Sequence, residues 1–210
     1  DMYLAIKTVS KFISNLGRKP VIIACDHTAG MANAMGAACA SKTPVVYLYF
    51  DAHYDLGLHG SATELNNGNF VNHILRTGLM DKIVNIGGRC WANYVPVYQD
   101  VPGFIWIPGG IEHGDASKIE FHLSWFAGAK VYVSIDADIL DPSCAPNVSC
   151  PEPFGFTAAG LFSACDWIGR NCNVIGADLC EIVPGGFTME SERALMRCVH
   201  ALFPKNGKSK

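Results

Sequence analysis

Two short runs concentrate acidic and imidazole side chains, Asp51-Ala52-His53-Tyr54-Asp55 and Asp136-Ala137-Asp138. In the first, two carboxylates and an imidazole stand at alternate positions, so an extended backbone projects all three to one side. The second sets two carboxylates at i and i+2 after the apolar run KVYVSI, and His27, beside Asp26, follows the apolar run PVIIAC. One DxD on a loop is an ordinary turn or a solvated face. Two His and four Asp gathered at strand ends are different, because buried unpaired ions cost several kcal/mol each unless something neutralises them. A mixed carboxylate and imidazole set suits manganese, iron or zinc, and the carboxylate majority favours manganese. Each carboxylate has two oxygens, so one Asp from each run can bridge two ions.

The elements that position these groups follow from the apolar pattern. PVIIAC, PVVYLYF, KIVNIGG, GFIWIP, KVYVSI and VIGADLC are short, rich in β-branched or aromatic residues and mostly continuous. That is the pattern of parallel strands buried on both faces. Helical stretches lie between them at 29–41, 69–78, 117–128, 158–170 and 189–202. The alternation predicts an α/β fold with a central parallel sheet. Polar residues cluster just after the strands: Asp26 and His27, 51–55, 136–141, and Glu181 after GADLC. Ligands of open parallel sheets bind outside the carboxyl ends of the strands, so four such ends can converge on one site.

Composition excludes several classes. The 210 residues suit one domain over 1–210, and 50% hydrophobic with 17% charged residues describes a packed interior. Sixteen Lys plus Arg stand against 19 Asp plus Glu, for a net charge of −3, and the only basic run is the tail at 205–210. No nucleic-acid partner is expected. No apolar stretch reaches the roughly 18 residues of a membrane span, and the opening DMYLAIKTVSKF lacks a signal-peptide pattern. Cys25, Cys39, Cys165, Cys172, Cys180 and Cys198, six of nine cysteines, lie in or beside apolar runs. They read as reduced core thiols in a cytoplasmic setting. Without a CxxC pair no structural zinc is expected. The glycine pairs lack a GxGxxG context, the four tryptophans read as packing, and the Pro-Glu-Pro at 151–153 reads as a stiff loop.

These motifs resemble a known family. FDAHYD resembles the DAHxD segment of the arginase and agmatinase ureohydrolases, and SIDADILDPSCAP resembles their SxDxDxxDPxxAP segment. ACDHTAG is similar to their GGDHS segment, and ADLCEIVP to the segment whose glutamate meets the substrate guanidinium. GLMDKIVNIGGR matches between the second and third, and the likeness runs from Pro20 to Pro184 in the family's order. The resemblance implies a three-layer fold with helices on both sides of a mostly parallel sheet, and two Mn2+ per chain. It places one ion on His27, Asp51, Asp55 and Asp136 and the other on Asp51, His53, Asp136 and Asp138, with Asp51 and Asp136 bridging. It further implies that water activated by the ions attacks a guanidinium carbon. Asp55 would deliver the proton to the leaving amine, and Glu181 would hold the guanidinium by charge-assisted hydrogen bonds. Urea and an amine are the implied products.

The sequence departs from that family in three places. The part expected before Pro20, a first strand and helix, is short, which predicts an altered sheet edge in a compact variant or a fragment. The loop after Asp55 carries Asn67 where agmatinase-like members have a His, and an amide cannot shuttle protons, which leaves His59 and His73 as substitutes. Asn66, Asn67 and Asn69 offer amide groups to the far end of a substrate without reproducing the arginase spacing. Expected partners are therefore a small guanidino compound or an arginine-containing peptide, with a homo-oligomer as the assembly the family suggests. Competing readings are a peptide-arginine hydrolase leaving ornithine residues, a formiminoglutamate-type hydrolase releasing formamide, a single-metal deacetylase, and a metal-binding relative without catalysis.

Overall fold

All six apolar runs become strands: β1 (Val21–Ile23), β2 (Val46–Phe50), β3 (Lys82–Ile86), β4 (Phe104–Ile107), β5 (Lys130–Asp136) and β6 (Asn173–Cys180). The computed structural model describes residues 2–57, 64–90, 101–109, 116–183 and 190–205. The strands form one sheet in the order β1-β6-β5-β2-β3-β4, every pair parallel. β2 shows why its run reads as continuous. Val46, Leu48 and Phe50 enter the core on one face, while Tyr47 and Tyr49 enter the core on the other. A strand buried on both faces has no polar phase to show.

Helices cover both faces. α1 (Met2–Asn15), α2 (His27–Cys39) and α3 (Phe70–Thr77) lie with the tyrosine face, packing Tyr3, Met31, Met35, Phe70 and Ile74 against Tyr47, Tyr49 and Tyr132. α4 (Ala116–Leu123), α5 (Ala158–Asn171) and α6 (Glu190–Ala201) cover the other face through Ile119, Leu161, Ile168 and Leu195. The result is the expected three-layer α/β arrangement with a parallel sheet.

Several expectations need correction. The N-terminal region expected to lack an element holds α1, which docks on α2 where Gly36 leaves room; a Cβ there would meet the Lys7 carbonyl at 2.5 Å. The segment 51–55 is not extended: it turns sharply, with Asp55 at φ 50. Cys25 is exposed rather than in the core, and Trp125 is 58% exposed. None of the nine cysteines is in a disulfide. Among the described residues no helix is long and apolar enough to cross a membrane.

Candidate metal centre

Parallel strands all point their carboxyl ends the same way, so the polar residues after β1, β2, β5 and β6 meet at one edge of the sheet. His27 arrives first. It opens α2 behind the N-cap Asp26, whose side chain accepts from the Thr28 amide at 2.8 Å. The imidazole is buried and stacks on Phe70 at 4.2 Å. Its Nδ1 faces three carboxylates: Asp136 Oδ2 at 3.1 Å, Asp51 Oδ2 at 3.5 Å and Asp55 Oδ2 at 3.9 Å.

The end of β2 supplies Asp51, His53 and Asp55 through a turn. Asp51 Oδ1 accepts from the His53 amide at 2.6 Å, and the Tyr49 hydroxyl, donating to the Tyr54 carbonyl at 2.8 Å, braces the same turn. His53 Nδ1 then lies 2.8 Å from Asp138 Oδ2 and 3.6 Å from Asp51 Oδ1. The end of β5 supplies the rest. Asp136 caps a short 3-10 turn at 137–139 by accepting from the Asp138 amide at 2.8 Å, and Asp138 Oδ1 accepts from the Ala52 amide at 3.1 Å. Asp51, Asp136 and Asp138 are thus each aimed by a backbone N–H, which spares the other oxygen for a ligand.

After β6, Glu181 adopts φ 59, a conformation that costs a side-chain-bearing residue about 1–3 kcal/mol and gathers at functional sites. Its Oε1 accepts from the His27 amide at 3.0 Å and from Asn67 Nδ2 at 3.5 Å.

Two sets of donor atoms emerge, each within 4.8 Å of one another: His27, Asp51 and Asp136, and Asp51, His53 and Asp138. Asp51 belongs to both. The other edge of each imidazole meets a further group, Asp178 with Cys180 for His27 and Cys90 with Glu152 for His53. Electrostatics match an unneutralised cluster. Burial, then the charge of Asp51, pushes the Asp55 carboxyl well above its usual range; burial, then Asp138 and Asp51, does so for Asp136. Asp51 rises through burial and Asp138, and Glu181 through burial. Burial opposes charge on His27, but Asp51, Asp178 and Asp55 outweigh it and raise its pKa. Burial likewise opposes charge on His53, yet hydrogen bonds to Asp138 and Asp51 push it up to about 12. Asp51 Oδ2 is buried with no hydrogen-bond partner.

The structure therefore brings together His27, Asp51, His53, Asp55, Asp136, Asp138, Glu181 and Asn67. Asn66 and Asn69 instead knit their own loop: Asn66 Oδ1 accepts from the Gly68 amide, and Asn69 bonds the Asn66 amide and the Glu64 carbonyl. His73 is half-buried on α3, and none of the site hydrogen bonds or ion pairs described above involves it. His59 falls outside the described residues. Sequence reading missed four residues. Arg89 donates to the carbonyls of Asp138, Glu152 and Pro153, clamping the segment after β5 beside β3. Glu152, read only as part of a stiff loop, sits with Oε1 3.9 Å from His53 Nε2. Ser134 and Asp178 stand behind His27. The arginine in IGGR and Ser134, which opens the SIDADILDP run, were visible signals; Asp178 inside a strand was not.

This fold, with acidic and imidazole donors converging at its strand ends, is that of a metal-dependent family of hydrolases. The chain belongs to the arginase family, whose model matches residues 2–202. It is 33% identical over 143 residues to an agmatinase of Chromobacterium violaceum, covering 67% of this chain and 43% of that one. A formimidoylglutamase of Rhodococcus jostii is 24% identical over 216 residues, covering 96% of this chain and 67% of its own. A solved structure described as a hypothetical agmatinase from Burkholderia thailandensis superposes with a TM-score of 0.82 at 25% identity, covering 95% of this chain and 62% of that chain. The chain thus spans under half of the first relative's length.

Proposed function

We propose that this site hydrolyses a C–N bond of a guanidino or amidino compound with two divalent cations, Mn2+ by donor chemistry, and releases urea from a guanidino substrate. One observation carries the reading: six metal-type donors from three strand ends gather around Asp51, whose buried Oδ2 accepts no hydrogen bond and faces the His27 imidazole at 3.5 Å. The residues fit the ions. His27, Asp51, Asp55 and Asp136 would hold one, and Asp51, His53, Asp136 and Asp138 the other. Four clustered carboxylates carry the charge that two divalent cations neutralise, and oxygen-rich ligation with imidazole suits manganese. When bound, the ions supply a water of lowered pKa and polarise the substrate.

The protein's own groups do the rest. Glu181 is fixed by the His27 amide with its carboxylate at the mouth of the cluster, where it can pair with a planar cationic amidine. Asp55, beside the cluster and 3.9 Å from His27 Nδ1, is placed to relay a proton to the leaving amine. Asn67, donating to Glu181, orients that carboxylate and carries no proton itself. Similarity to both an agmatinase and a formimidoylglutamase supports the amidine class over any one substrate within it. The test is metal content per chain after manganese loading, with urea and formamide release from a panel of guanidino and formimino compounds. Two metals per chain, both lost in Asp136→Ala together with turnover, are expected. One metal, or turnover surviving their loss, overturns the reading.

A further inference from the structure

Behind the carboxylate cluster runs a buried chain of hydrogen bonds that the proposed chemistry does not use. Ser134 Oγ lies 2.7 Å from His27 Nε2 and donates to Asp178 Oδ1 at 2.6 Å. The Cys180 thiol reaches the same oxygen at 3.4 Å. The neighbourhood of Asp178 is held from the other side too. Ser10 on α1 donates to Asn33 Oδ1 on α2 at 2.6 Å, and Asn33 Nδ2 donates to the Tyr132 hydroxyl at 2.7 Å and the Ala177 carbonyl at 3.0 Å. Ser10, Asn33, Tyr132, Ser134, Asp178 and His27 are all buried. Asp178 is also packed against the backbone of α2, where a Cβ on Gly30 would meet its carboxyl carbon at 2.7 Å.

The direction of these bonds has a consequence for His27. A serine hydroxyl has one proton, and Ser134 gives it to the carboxylate. Only lone pairs of Oγ are left for the imidazole, so the bond between Ser134 and Nε2 forms when Nε2 is the nitrogen that carries hydrogen. In a neutral imidazole the other nitrogen is then bare, and that one is Nδ1, the atom facing Asp136, Asp51 and Asp55. Hydrogen bonds of this kind on the far nitrogen fix the tautomer and ring angle of a ligating histidine.

We propose that Asp178 is a positioning residue: acting through Ser134, it fixes the proton of His27 on Nε2 and so presents Nδ1 bare to the carboxylate cluster. The inference rests on the reading of His27 as a metal donor, and it concerns a carboxylate three residues before Glu181 that meets His27 on the edge away from Asp51, Asp55 and Asp136. In Asp178→Asn the new amide can donate to Ser134 Oγ, which turns the serine proton toward Nε2 and reverses the tautomer. In Ser134→Ala the acceptor for Nε2 is gone.

The test has two readouts. The first is the tautomer of His27 in metal-free protein carrying 15N-histidine, at a pH where the imidazole is neutral, with the signal assigned by its loss in His27→Gln. The second is the manganese dissociation constant. Wild type is expected to hold the proton on Nε2, both variants to lose that preference, and both to bind manganese roughly 10–100-fold more weakly. A proton on Nδ1 in wild type, or variants that keep both the wild-type tautomer and its affinity, overturns the proposal. Should Asp178→Asn fail to fold, Ser134→Ala decides by the same readings. If wild type binds no manganese, the functional reading falls while the tautomer comparison still decides this one.

Discussion

At the scale of single residues, the site is a set of charges held too close together to be stable alone. Asp51 is aimed by the His53 amide, shared between two donor sets, and left with one buried oxygen that accepts no hydrogen bond. Glu181 differs from the other acids, because the hydrogen bond its carboxylate accepts from the His27 amide and its left-handed φ place it beside the cluster without making it part of either donor set. Its removal should therefore separate binding of the ions from turnover. Glu181→Gln is expected to retain the metal content of wild type and to lower amidine hydrolysis by about 100-fold or more, since a preorganised charge facing a cationic substrate is lost. Loss of metal in that variant, or unchanged turnover, would remove Glu181 from the role given it.

At the scale of elements, the helix and strand ends do the aiming. The first turn of α2 carries His27 and its cap, and its second turn carries Gly30, the point where helix backbone and Asp178 come closest. A methyl group there has nowhere to go. Gly30→Ala should destabilise the protein by about 1–3 kcal/mol, as overpacking does, and should weaken manganese binding because it pushes Asp178 off Ser134. Denaturant melts and a metal titration check both; wild-type stability would mean that α2 can shift freely. The elements also show where sequence pattern stops. Alternation in DAHYD predicted an extended segment, but the Asp51 carboxylate recruits the His53 amide and bends the chain, a local side-chain bond outcompeting the strand ladder. α1 was not expected from the sequence, and its apolar residues fall on two faces: Tyr3, Ile6 and Ile13 are partly buried, while Leu4, Val9 and Phe12 are 56–62% exposed.

At the scale of the molecule, the proposed metal ions would compete with protons for the same cluster. His53 is pushed to about 12, above the ordinary 6.5, so it contributes stability that is fully present below pH 6.5 and lost as pH rises toward its folded value. Asp55 and Asp136, raised well above 3.8, act in the same direction: protonated in the folded state, they give stability that disappears as pH climbs through their raised values. The metal-free protein is thus expected to melt at progressively lower temperature as pH is raised above 6.5. Saturating manganese should flatten or reverse that slope, because bound ions replace the protons. Thermal melts across this range with a chelator and with excess manganese measure it; parallel slopes would mean that the ions do not occupy this cluster.

Among the described residues, the sequence by itself determined the six strands, five of the six α-helices and the acidic and imidazole donors, because continuous apolar runs and polar residues just past their ends are local patterns. It also carried the family, through DAHYD and SIDADILDP. Tertiary structure alone decided which groups stand behind those donors. Ser134 and Asp178 alternate with apolar residues inside strands and look like minor polar substitutions in the core, and Glu152 lies in a proline loop far along the chain. Only the parallel register of β5 with β6, which sets Ser134 opposite Asp178, and the packing of α2 over both turn them into partners of His27. Long-range pairing of that kind depends on where distant segments come to rest, and no spacing along the chain encodes it.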